Sequence, residues 1–90
     1  NTAMSTGFLM QQMEWREALD DARASRKQDA LDHLAAELAA ERDTMARRVG
    51  ELLDVEHDYT TAAARVREWM FIEKFSEEID AVADALADSH

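Results

Sequence analysis

Residues 8–19 read Phe8-Leu9-Met10-Gln11-Gln12-Met13-Glu14-Trp15-Arg16-Glu17-Ala18-Leu19, and wound as a helix they carry apolar side chains on two opposed sides. At about 100° per residue, Phe8, Trp15 and Leu19, continued by Ala22, make one stripe with Ala18 at its edge. Such a stripe is the core face of an amphipathic helix. Met10 and Met13 fall on the opposite side beside Glu14, Glu17 and Asp21, while Leu9 sits on the flank between the two faces. A helix of a small domain buries only one broad face inside its own fold. The second face points to a partner.

Working outward, the first helix starts after Ser5 or Thr6, either of which can cap it, and runs to about Ala24. The apolar signal stops around Ser25-Arg26-Lys27-Gln28. It resumes in Leu31, Leu34, Leu38, Met45, Val49 and Leu52, at spacings of three, four and seven. Gly50 costs this second helix roughly 1 kcal/mol relative to Ala without ending it. Asp54-Val55-Glu56-His57-Asp58 is the next turn, with the capping residue left open. The third pattern is Tyr59, Ala62, Val66, Trp69, Ile72, Phe75, Ile79, Val82 and Leu86, an extended stripe that drifts around the axis. Short connections make successive helices antiparallel, so the expected fold is all-α, an antiparallel three-helix bundle with a shorter first helix and two longer ones. One domain over residues 1–90 is expected, with disorder confined to Asn1–Met4 and the last few residues.

Composition narrows the function classes. The chain has 90 residues, enough for a single modest core, and neither Cys nor Pro. Disulfides, thiolate metal sites and a turn-rich β fold are thereby excluded. Its formal net charge of -10 is a poor match for phosphate backbones, which are bound by clustered Lys and Arg, so nucleic acid and anionic membranes are not expected partners. A basic protein surface is the better electrostatic match. With no apolar run near the ~18 residues of a membrane span and no signal-peptide pattern, the expected location is cytoplasmic.

No cofactor or catalytic motif emerges. Helical bundles can house di-iron sites built on Glu-x-x-His, but three residues before His33, His57 and His90 stand Ala30, Asp54 and Ala87. There is no Gly-rich phosphate loop and no nucleophile motif, and the expectation is a chain that is not an enzyme. The acidic run Glu14, Glu17 and Asp21 gains interest only because it frames Leu9, Met10 and Met13, as a polar rim frames an anchor patch. Trp69-Met70-Phe71-Ile72 repeats the anomaly of the first helix. Four successive apolar residues point four ways; Trp69 and Ile72 continue the core stripe, which leaves Met70 and Phe71 as outward candidates.

The blocks NTAMSTGFLMQQMEWREALDDA (residues 1–22) and YTTAAARVREWMFIEKF (residues 59–75) resemble the C-terminal domain of the J-type co-chaperone HscB of iron-sulfur cluster assembly. The likeness covers nearly the whole chain, the middle helix matching mainly in pattern. In that family this domain binds the cluster scaffold IscU, while an N-terminal J domain with a His-Pro-Asp motif stimulates the Hsp70 partner HscA. The resemblance implies that Leu9, Met10, Met13 and Phe71 match the apolar scaffold contacts, and that Glu14, Glu17 and Asp21 match the acidic ones. Met13 and Asp21 are conservative departures, and Met70 stands where a basic residue is common. No His-Pro-Asp occurs in the sequence, so the expectation is a domain that binds the scaffold and reaches Hsp70 only through a J domain it lacks. Two readings from other classes remain beside it. A small helical enzyme of the chorismate mutase type would require Arg16, Arg23 or Arg47 to converge in one enclosed pocket. A self-association module would use the same apolar patches.

Overall fold

A computed structural model describes residues 5–88 as three α-helices: α1 (Thr6–Ser25), α2 (Gln28–Asp54) and α3 (Tyr59–Asp88). The expected end segments lie, at 1–4 and 89–90, outside the described residues. Helix order, relative lengths and the two short connections agree with the expected three-helix bundle.

Each boundary has a local cause. Ser5 caps α1, its Oγ accepting from the Phe8 N–H at 3.1 Å. At the other end Arg26 takes a left-handed conformation (φ 56°), and the Lys27 N–H returns to the Ala22 carbonyl at 3.1 Å, which is the Schellman closure. Gly50 lies inside α2, as expected. After Asp54 the chain turns through His57, also left-handed at φ 54°. Asp58 resolves the open cap of α3: its Oδ1 accepts from the Thr61 N–H at 3.1 Å and its Oδ2 from the Thr61 hydroxyl at 2.7 Å. Those bonds hold the Asp58 carboxyl below its ordinary pKa. Arg48 braces the same turn through Glu56 and Glu51.

The core joins Phe8, Trp15, Leu19 and Ala22 of α1 to Leu31, Leu34, Leu38 and Met45 of α2 and to Ile72, Phe75, Ile79 and Leu86 of α3. The stripes on α1 and α2 are buried as expected. On α3 two expectations fail: Tyr59 and Val66 are exposed, and Glu68, only 1% exposed, is buried in their stead. Helical phase explains this. Counting from Ile72, Val66 lies about 120° round the axis and Tyr59 further still, whereas Glu68 is only about 40° away on the side facing α1.

Most interhelix packing is between α2 and α3, and α1 is the lighter attachment. The molecule is a rod of 51 × 22 × 15 Å with a radius of gyration of 15.1 Å, against about 12 Å for a compact domain of this length. A thin rod covers only one side of α1. Its opposite side is left to solvent.

Candidate functional site

That solvent side carries the second apolar face. Leu9 is 46% exposed, Met10 59% and Met13 71%, each a large apolar side chain held on a helix whose other face is locked in the core. Glu14, Glu17 and Asp21 are exposed beside them. Between α1 and α3 lies an open groove of about 420 Å³ lined by Gln12, Met13, Arg16, Glu17, Asp20 and Phe71. The structure thus brings Met13, Glu17 and Phe71 to one concavity. Leu9, Met10, Glu14 and Asp21 lie outside its lining, on the outer surface and flanks of α1.

Of the two outward candidates on α3, Met70 is the exposed one at 65%. Phe71 has a divided role. It is partly buried and packs against the core, within an aromatic cluster: edge-on to Phe8 (ring centroids 5.8 Å apart) and parallel to Trp15 (6.4 Å) and Phe75 (5.7 Å). Phe8 in turn meets Trp15 edge-on at 5.9 Å. Such pairs add about 0.5–1.5 kcal/mol each beyond area burial. The groove floor is therefore continuous with the core.

Arg16, one of the arginines an enzyme site would require, lines the groove. Its guanidinium sits 4.8 Å from the centroid of the Phe75 ring and pairs with Glu78 of α3. The hydrogen bond between them is the main reason the Glu78 carboxyl lies below its ordinary pKa and the Arg16 guanidinium above its own. The pair crosses from α1 to α3 beside the groove, as an exposed contact between the two helices. A periodic reading finds such a pair only once two helices have been docked.

The three arginines that a chorismate mutase type of site would bring together lie apart in their surroundings. Arg16 faces an open groove and is already paired, while Arg23 and Arg47 are exposed. Among the described residues no group of three or more His, Asp or Glu could hold a metal ion, and no helix is long and apolar enough to cross a membrane.

Comparison with known proteins gives a consistent picture. Residues 4–80 match the family described as the HSCB C-terminal oligomerisation domain. A protein of Bordetella avium strain 197N named co-chaperone protein HscB homolog is 52% identical over 82 residues, covering 91% of this chain and 48% of that protein. Proteins of the same name from Bordetella pertussis (53% over 81 residues, 90% and 46% covered) and Burkholderia multivorans (51% over 86 residues, 96% and 49% covered) are similar. The chain spans about half the length of the curated relatives it matches. No solved structure matches it.

Proposed function

The chain belongs to the family of HSCB C-terminal oligomerisation domains, and from that premise we propose that it is a scaffold-binding module of an iron-sulfur co-chaperone. Its partner in this reading is an IscU-type scaffold protein. Leu9, Met10, Met13 and the groove face of Phe71 supply apolar anchors, and Glu14, Glu17 and Asp21 form a rim that attracts basic side chains. The observation that supports it most directly is the exposure of three large apolar residues on consecutive turns of a helix already anchored on its opposite face. Isolated exposed apolar side chains are ordinary, but neighbouring ones bordered by charge have the form of an interface.

In the same reading the module recruits and does not activate. Hsp70 of the HscA type is engaged through a J domain, whose His-Pro-Asp motif does not occur in these 90 residues. A steady-state Hsp70 ATPase assay with scaffold present tests this division: the chain alone should not stimulate turnover, and it should compete with a full-length co-chaperone. Stimulation to full-length levels would refute it. Direct binding is tested by calorimetric titration against the scaffold.

A second reading, self-association, is favoured by the family's description and by a separate apolar surface on α3. There Val66, Trp69 and Met70 line a groove of about 550 Å³ with Glu73, Lys74 and Glu77. Sedimentation over a concentration series separates a monomeric binder from an oligomer.

A further inference from the structure

Glu68 is the one charged residue found buried among the described residues, and burying a carboxylate is unfavourable unless partners compensate it. Its partners lie on both sides of the α1–α3 junction. One carboxylate oxygen, Oε1, accepts from the Arg65 guanidinium at 2.5 Å, one turn earlier on α3. The other, Oε2, accepts from both the backbone N–H and the hydroxyl of Ser5, each at 3.4 Å. Ser5 is the cap of α1: its Oγ takes the Phe8 N–H at 3.1 Å and its carbonyl takes the Leu9 N–H at 3.0 Å. A carboxylate at a helix N-terminus also opposes the positive end of the helix dipole. An unbroken series of hydrogen bonds thus runs from Arg65 through Glu68 and Ser5 to the amides of Phe8 and Leu9.

From this we infer that Glu68 is a positioning residue for the partner-binding face, fixing the first turn of α1 and with it Leu9 and Met10. The inference rests on the scaffold-binding reading. Its physical basis is that α1 is the lightly attached helix and its first turn would otherwise fray, as terminal turns do. A frayed turn has to be re-ordered on binding, and that ordering subtracts from affinity. Glu68 removes the loss in advance by holding the turn while the scaffold is absent.

The test combines amide hydrogen exchange of the free chain with scaffold affinity, measured at a temperature where every variant is fully folded. In Glu68→Ala the Phe8 and Leu9 amides should lose about tenfold in protection while mid-helix amides of α2 and α3 keep theirs, the pattern of local opening. Affinity should fall about 3- to 10-fold, the scale of one or two hydrogen bonds. Adding Leu9→Ala to Glu68→Ala should cost less affinity than Leu9→Ala alone, because the two act through one turn. Glu68→Gln, which keeps an acceptor for Ser5, should recover part of the protection and affinity. Should Glu68→Ala fail to fold, Glu68→Asp carries the same readouts, since its shorter side chain withdraws the carboxylate from Ser5. A purely structural role would lower the melting temperature and leave both the affinity of folded protein and the selective exchange of the first turn unchanged. Either result overturns the inference. If the unaltered chain does not bind the scaffold, the scaffold reading fails, and unchanged exchange at Phe8 and Leu9 separately refutes the hold of Glu68 on the turn.

Discussion

Removing the ring of Phe71 is expected to do two things at once, because the residue is shared between the aromatic cluster and the groove. Phe71 is an outward candidate by sequence, but its ring contacts with Phe8, Trp15 and Phe75 tie it to the core as well. Phe71→Ala should lower stability by about 2–4 kcal/mol, somewhat less than truncation of a fully enclosed ring, and weaken scaffold binding as well. Leu9→Ala and Met13→Ala should stay within about 0.5 kcal/mol of the parent in stability, as exposed positions do. If they are anchors they should weaken scaffold binding by about 1–3 kcal/mol. Denaturant melts paired with calorimetric titration separate the three variants. Melts that place Leu9→Ala or Met13→Ala several kcal/mol below the parent would return those residues to the core. Trp15→Ala and Leu19→Ala, both almost completely buried, supply the comparison, at about 2–5 kcal/mol each.

Among the helices, α2 offers the clearest lever. A Cβ built on Gly50 meets nothing within 4 Å, so Gly50→Ala should stabilise the chain by about 0.5–1 kcal/mol through helix propensity and a less disordered unfolded state. A thermal melt that drops instead would mean the position is sterically closed. His57, at φ 54°, should gain about 0.5–1 kcal/mol on replacement by Gly, which adopts that region without a Cβ clash. The faces of α1 and α2 are legible because a steady apolar period marks them, and Ser5 marks the start of α1; Lys27 before α2 makes no side-chain cap, and the cap of α3 is one of several polar residues in its turn. The face of α3 was only partly legible. Its apolar residues drift, and Tyr59 and Val66 lie far round the axis from Ile72. Glu68 has the better phase, but a carboxylate is expected in water. Its compensation comes from Ser5, 63 positions away in sequence, and no local pattern records that contact. The same limit applies to the groove. Exposure of Leu9, Met10 and Met13 followed from one helix, whereas the Arg16–Glu78 pair required knowing which side of α3 receives α1.

For the whole molecule, a thin rod with net charge -10 makes electrostatics a global property. The Arg16–Glu78 pair is exposed, so it contributes below about 1 kcal/mol after solvent screening. Because folding depresses the Glu78 pKa, that contribution is present above the ordinary Glu value of about 4.3 and lost as pH falls through the lower folded-state value. The stability gap between the parent and Glu78→Gln should therefore be constant above about pH 5 and close below about pH 4. A gap that persists in acid would assign it to packing. In the proposed scaffold-binding reading the same excess of carboxylates governs approach to the partner. Glu14, Glu17 and Asp21 stand at the rim of the apolar face, where charges act on encounter more than on the docked state. Glu14→Lys or Glu17→Lys should therefore slow association with a scaffold whose contact surface is basic while leaving dissociation nearly unchanged. The parent's association rate should fall as salt rises past about 0.1 M, where the screening length is about 10 Å, and the variants should show a shallower slope. Stopped-flow association across a salt series reads both quantities. An unchanged slope in Glu14→Lys and Glu17→Lys would remove the acidic rim from the recognition mechanism and leave the apolar face of α1 to account for binding alone.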